Sequence, residues 1–130
     1  MLEISDEKFA ELAAEAWKKI PKYFHQQMDN LAIRIEQRVS QEQMHHLKTG
    51  NTLLGLFEGT PKTAWGQDSI GTQPSKITIF QETILNTVTT GKDLENLILE
   101  VLMHEVAHYF GYNDDEMRIL DEKLRGKLKD

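Results

Sequence analysis

The chain has 130 residues, 39% hydrophobic and 28% charged, which is typical of one globular domain spanning residues 1–130. Its 15 basic and 21 acidic residues leave a net charge of −6, which disfavours broad binding to nucleic acids or anionic membranes because like charges repel. The chain has no cysteine, which excludes disulfides, thiolate metal ligands and cysteine nucleophiles.

The N-terminal segment predicts a helix rather than a targeting signal. Acidic residues come early, no basic region precedes an apolar run, and no apolar stretch approaches the roughly 20 residues that span a bilayer, so we expect a cytoplasmic protein. Ser5 or Asp6 can cap the helix, and Pro21 ends it and suits the first turn of a second, short helix. Apolar residues recur between them at helical spacing: Phe9, Leu12, Ala13, Ala16, Trp17 and Ile20.

Three segments in the middle of the chain predict β-strands. "NLAIRIEQRV" alternates apolar with polar or small residues, as a half-buried strand does. "TLLGLFEGTPKTAWG" begins as a strand and breaks at Gly59 and Pro61. "SKITIFQE" predicts a third strand with Ile77 and Ile79 on one face.

Between the first two predicted strands, His45 and His46 stand side by side in a polar segment that predicts a loop with one helical turn. Adjacent side chains point in different directions on most backbones, so such a pair makes a poor chelate. We therefore interpret both histidines as surface residues.

The C-terminal part predicts helices. "TILNTVTTG" is read as a short helix that stops at Gly91, and "KDLENLILEVLMHEVAHYFG" as a long one that Asp93 caps and Gly111 ends. The long helix has an expected buried stripe of Leu94, Leu97, Ile98, Val101 and Leu102. A last helix is expected over roughly residues 114–127. Runs of strands and runs of helices predict an α+β fold with helices packed against a small sheet.

The long helix carries the sequence His104-Glu105-x-x-His108. One turn separates the two histidines, so both imidazoles project from one face and can converge on one ion. Zinc binds such ring nitrogens at a Zn–N distance of about 2.0–2.1 Å. Glu105 lies about 100° further around the helix. We therefore expect Glu105 to reach a metal-bound water and take its proton as a carbonyl is attacked, rather than to bind the metal.

A catalytic zinc normally has a third protein ligand. Gly111 can turn the chain sharply after the helix, which lets Asp114 approach the ion and completes H-E-x-x-H-x-x-G-x-x-D. Asp115 is one residue away, and Asp121 or Glu122 could reach back from the last helix. Asp114 also has a purely structural alternative as the cap of that helix.

At these residues the chain resembles the small bacterial zincin-like metallopeptidases, or minimal zincins, over roughly residues 20–120. The resembling segments occur in the family's order: "NLAIRIE", "LLGLFEGTP", "KITIFQE" and "HEVAHYFGYNDDEMRIL". The resemblance implies a compact zincin-like α+β fold with a small mixed sheet against the active-site helix. It also implies one zinc ion per chain, with His104, His108 and Asp114 as ligands and Glu105 as general base. The methionine turn of the larger metzincins is missing, since Met117 follows Asp114 too closely.

The leading functional hypothesis is a zinc-dependent peptidase that acts on small or flexible peptides or on unfolded protein segments. An extended substrate is expected to pair with a sheet edge supplied by "LLGLFEG" or by "KITIFQE". The alternative is a non-catalytic binding or structural module that the metal stabilises. A metal-dependent RNA-processing hydrolase is disfavoured by the acidic balance and by the glutamate beside His104.

Overall fold

The computed structural model describes residues 2–28, 31–46, 53–59 and 75–111. The expected α+β fold is confirmed there, and the helix predicted over residues 114–127 lies outside the described residues. In chain order the elements are α1 (Asp6–Lys19), α2 (Lys22–Gln27), β1 (Leu31–Glu36), a 3-10 helix (Gln43–His46), β2 (Gly55–Glu58), β3 (Ser75–Phe80), α3 (Gln81–Thr87) and α4 (Gly91–Tyr109). None of the helices in these ranges is both long and apolar enough to cross a membrane.

The three strands form one mixed sheet in the order β1-β3-β2. β1 runs parallel to β3, whereas β2 runs antiparallel to it. The register aligns Ile33, Ile77 and Phe57 across the sheet, on the face that packs against the helices. Because β3 lies in the centre, β1 and β2 are the edges of the sheet in the part of the chain that the structure describes.

The first backbone N–H groups of a helix have no acceptor within the helix, and at the start of α1 a capping side chain supplies one. Ser5 is that cap, since its hydroxyl accepts a hydrogen bond from the backbone N–H of Lys8 at 3.0 Å. The helix packs against α4, and its buried residues are Phe9, Ala13 and Ala16. The sequence left Ser5 and Asp6 open as caps, and the structure selects Ser5.

The start of α4 corrects two sequence expectations. Thr90, not Asp93, is the cap: its hydroxyl accepts a hydrogen bond from the Asp93 N–H at 3.1 Å. The preceding helix, α3, ends at Thr87 rather than at Gly91, which is instead the first residue of α4. Asp93 thus lies in the first turn, where its charge favours the positive end of the helix.

The end of α4 follows the prediction. Gly111 has a φ of 78°, a left-handed conformation that glycine adopts without steric cost. Its N–H donates a hydrogen bond to the carbonyl of His108 at 2.9 Å, which closes the last turn. The His104-Glu105-x-x-His108 sequence therefore lies in the final two turns of α4, and the helix ends at the left-handed Gly111.

The main core lies between the sheet and the helices α1 and α4. The buried face of α4 is wider than the predicted stripe, and Leu97 is only half-buried. The buried residues of α4 are Leu94, Ile98, Leu99, Val101, Leu102, Met103, Glu105, Val106, Ala107 and Tyr109. This packing surrounds the helical turns that carry the two histidines.

Candidate metal centre

The last two turns of α4 bring the ligand atoms of His104, Glu105 and His108 to within 4.8 Å of one another. The two imidazole rings are 5.1 Å apart between centroids and inclined by 74°. Both histidines are half-buried, whereas Glu105 is only 7% exposed. The four-residue spacing thus places two imidazoles next to each other at the surface of the core, with a more deeply buried carboxyl group within 4.8 Å of their ligand atoms.

Residues on the inward side of the same turns hold this part of α4 in place. Met103 is 1% exposed, and Val106 and Ala107 are fully buried. A helix packed so closely cannot rotate about its axis without opening cavities in the core. The directions in which the two histidines leave the helix are therefore set by the fold before any ion binds.

Strand β2 lies against α4 at this site. The Phe57 ring contacts Tyr109 with centroids 6.0 Å apart, and the backbone of Phe57 is hydrogen-bonded to the Glu105 carboxyl group. Gly55 sits directly on the helix, since a Cβ added there would lie 2.6 Å from Cγ1 of Val101 and 3.3 Å from Cγ of Glu105. Reasoning from the sequence missed these contacts between β2 and α4, although a glycine inside a strand is a known signal of close backbone approach.

Burial raises the pKa of Glu105 from its ordinary value of 4.5 to about 7. The neighbouring His104 and the hydrogen bond from the Phe57 backbone both favour the charged carboxylate and so oppose this rise in pKa. Loss of hydration is the largest of the three effects, which leaves a carboxyl group that titrates near neutral pH. Such a group can both accept and return a proton under ordinary conditions.

The donor set fits a divalent transition metal. Two imidazoles from one helical turn are a common pair of zinc ligands, and the ligand nitrogens of His104 and His108 lie within 4.8 Å of each other, close enough to share one ion. Asp114, predicted as the third ligand, lies outside the described residues, as do its rivals Asp115, Asp121 and Glu122. The assignment of the third ligand therefore stays a prediction.

The other histidines differ from this pair. His25 donates from Nε2 to the carbonyl of Trp17 at 2.9 Å and packs edge-on against the Trp17 ring at 4.9 Å, which ties α2 to the end of α1. His45 and His46 belong to the 3-10 helix, which confirms the predicted helical turn. Their surface position stays a prediction.

Comparison with known proteins agrees with this geometry. The sequence profile of a family described as zincin-like metallopeptidase matches residues 28–124. A solved structure of a conserved hypothetical protein from Thermo thermophilus superposes with a TM-score of 0.54 at 21% sequence identity, covering 82% of this chain and 94% of that chain. That likeness shows a shared fold. No curated protein matches the chain.

Proposed function

The chain belongs to the family of zincin-like metallopeptidases, and from this we propose that it is a zinc-dependent peptidase that cleaves small or flexible peptides. The observation that carries the proposal is the position of Glu105, a buried carboxyl group whose oxygen lies within 4.8 Å of the ligand nitrogens of His104 and His108. A structural role alone gives no reason to bury an ionisable group at that place, since burial of a charge is costly.

In this proposal His104 and His108 hold one zinc ion through ring nitrogens, and Asp114 completes the ligand set. When bound, zinc supplies a Lewis acid that polarises a peptide carbonyl and makes water more acidic. The buried residues of α4 keep the two imidazoles side by side, which reduces the rearrangement that binding requires.

Glu105 has the properties of a general base in this site. A carboxylate has two oxygens, and the backbone N–H of Phe57 needs only one of them, so the other can take a proton from the attacking water. The same oxygen can then return that proton to the nitrogen of the departing amine, because the carboxyl group stays beside the reacting atoms and acts first as a base and then as an acid. The hydrogen bond from β2 keeps the carboxyl group oriented between the two transfers.

The sheet favours β2 as the strand that pairs with substrate. β3 has a neighbour on each side, so "KITIFQE" has no edge to offer in the described sheet. The N–H of Phe80 donates to the carbonyl of Leu54 at 3.0 Å, which makes them a hydrogen-bonded pair of the antiparallel ladder. Because bonded pairs alternate, Gly55 and Phe57 direct their backbone groups away from β3. The Phe57 N–H is already bonded to Glu105. An extended peptide would therefore pair with the backbone N–H and carbonyl of Gly55 and with the carbonyl of Phe57.

Two variants test the proposal on the purified protein. Glu105→Ala should keep about one zinc per chain and lose turnover of a diverse peptide library by about 10²-fold or more, because the base is absent while the ligands remain. Asp114→Ala should lose most of the zinc. Peptide cleavage retained in Glu105→Ala would reject the mechanism.

Zinc content, peptide turnover and the melting temperature on chelation together distinguish the peptidase from the alternative function. A metal-stabilised binding module would show normal zinc content and a large fall in melting temperature on chelation, with no cleavage by the parent protein. That result would replace the peptidase with the module while leaving the metal site intact.

A further inference from the structure

We propose that Gly55 is a positioning residue for Glu105: its missing side chain lets β2 lie directly on α4, so that the backbone N–H of Phe57 holds the Glu105 carboxyl group. The contact itself is a property of the fold. Its consequence for catalysis rests on the proposed function, and the experiments below separate the two.

The first argument is steric. A Cβ at residue 55 would stand 2.6 Å from Cγ1 of Val101, whereas two carbon atoms in contact lie about 3.5–4.0 Å apart. The same Cβ would be 3.3 Å from Cγ of Glu105 and 3.3 Å from the carbonyl oxygen of Thr78. It is therefore confined by the helix on one side and by the central strand on the other.

The conformational freedom of glycine does not explain this position. Gly55 lies within β2 and, unlike Gly59 and Gly111, does not have a positive φ. Alanine could adopt the backbone conformation of Gly55 without strain. Only the proximity of α4 and β3 excludes a side chain, so the reason for glycine at residue 55 is close approach.

The second argument concerns distance. An alanine at position 55 must move away from Val101 by about 1 Å to reach ordinary contact. N–H···O hydrogen bonds span about 2.7–3.2 Å, so a displacement of about 1 Å transmitted to Phe57, two residues further along the strand, breaks its bond to Glu105.

Amide hydrogen exchange in the metal-free protein tests the contact directly. The Phe57 amide should exchange about tenfold faster or more in Glu105→Ala, which removes the acceptor, and in Gly55→Ala, which displaces the donor. Gly91→Ala is the matched control, because a Cβ there meets no atom within 4 Å. The Phe80 amide, bonded to Leu54 in the same pair of strands, is the internal reference for general loosening of the sheet.

A second variant tests the steric cause and keeps the proposal testable if Gly55→Ala folds poorly. Val101→Ala removes the Cγ1 atom that a Cβ at residue 55 would strike. Gly55→Ala combined with Val101→Ala should therefore recover most of the protection of the Phe57 amide that Gly55→Ala alone loses. Equal exchange of the Phe57 amide in the parent and in Gly55→Ala, or no recovery in the double variant, would overturn the proposal.

Kinetics then measure the consequence for catalysis. If Gly55 acts through Glu105, Gly55→Ala should lower kcat by about tenfold or more with zinc content unchanged, whatever the displaced strand does to KM, and the double variant should regain part of kcat. A rise in KM with kcat unchanged would overturn the positioning role. Absence of cleavage by the zinc-loaded parent would refute the proposed function, whereas the exchange experiment would still decide the role of Gly55.

Discussion

Helix α4 begins at one glycine, Gly91, and another glycine, Gly55 of strand β2, packs against its C-terminal half. The two ends of the helix are nevertheless built in different ways. At the N-terminal end, Gly91 is exposed, no atom would touch a Cβ there, and the Thr90 hydroxyl satisfies the Asp93 N–H. At the C-terminal end, β2 lies on the helix so closely that Gly55 has no room for a methyl group. The N-terminal end is governed by local hydrogen bonding, and the C-terminal end by contacts between segments about 50 residues apart in the chain.

This contrast separates the end of α4 that carries the candidate metal centre from the end that does not. A helix end that is satisfied by its own neighbours can be exposed and tolerant of change. The end that carries His104, Glu105 and His108 is buried by another element and therefore has a perturbed acid and fixed side-chain directions. Substitutions at the C-terminal end should accordingly change metal binding and pH dependence, whereas those at the N-terminal end should change stability alone.

The largest effect is expected from removal of a ligand at the C-terminal end. His108→Ala should lower the affinity for zinc by more than about 100-fold, because one of the imidazoles of the pair is lost. His25→Ala is the matched control, since His25 bonds the Trp17 carbonyl and does not belong to the group of donors formed by His104, Glu105 and His108. Metal analysis of both variants after dialysis checks this; equal zinc in the two would remove His108 from the ligand set.

The next effect is a dependence of stability on pH in the metal-free protein. Glu105 titrates near 4.5 when unfolded and at about 7 when folded, so the folded state retains a proton that the unfolded state has lost between these values. Stability should therefore fall as pH rises from about 4.5 to about 7, with up to about 3 kcal/mol from this group at 1.36 kcal/mol per pH unit.

Urea unfolding at several pH values tests that prediction, with Glu105→Gln as the comparison. The variant should lack this part of the slope, because an amide does not titrate. Added zinc should also flatten the slope, since a nearby dication favours the carboxylate. Parallel pH profiles for the parent and the variant would contradict the raised pKa.

Alanine substitutions at Gly55 and Gly91 provide the most direct comparison of the two ends of α4. Gly55→Ala should destabilise the protein by about 1–3 kcal/mol, because it forces an extra methyl group into a packed contact. Gly91→Ala should instead be neutral or stabilising by up to about 1 kcal/mol, because alanine restricts the unfolded chain and favours helix. The midpoints of urea unfolding should therefore be lower for Gly55→Ala than for Gly91→Ala. Similar midpoints for the two variants would contradict this prediction.

The smallest effect is expected at the N-terminal cap. Thr90→Ala should cost about 1 kcal/mol, because the N–H of Asp93 loses its acceptor. Zinc content and peptide turnover should not change, since the cap lies at the end of α4 remote from the histidine pair. A loss of zinc in this variant would show that the two ends of the helix are coupled.

Much of the fold was predictable because its signals are local. The three strands, the long helix and its end at Gly111 follow from periodicity and from one glycine. The helix caps were predicted less well. For α1 the sequence did not distinguish Ser5 from Asp6, and for α4 it predicted Asp93 as the cap, whereas the structure has Thr90. A cap depends on which side chain reaches a free N–H, and neighbouring polar residues compete for that role.

The placement of His104 and His108 on one face of a helix follows from the sequence alone, since four residues make about one turn wherever the helix lies. Membership of the zincin-like family over residues 28–124 is also a property of the sequence. The tertiary structure was needed to show that β2 lies against α4, that Gly55 leaves room for it, and that Glu105 is buried with a pKa of about 7. The physical reason is that burial and close approach depend on the packing of segments distant in the chain, which no local pattern encodes.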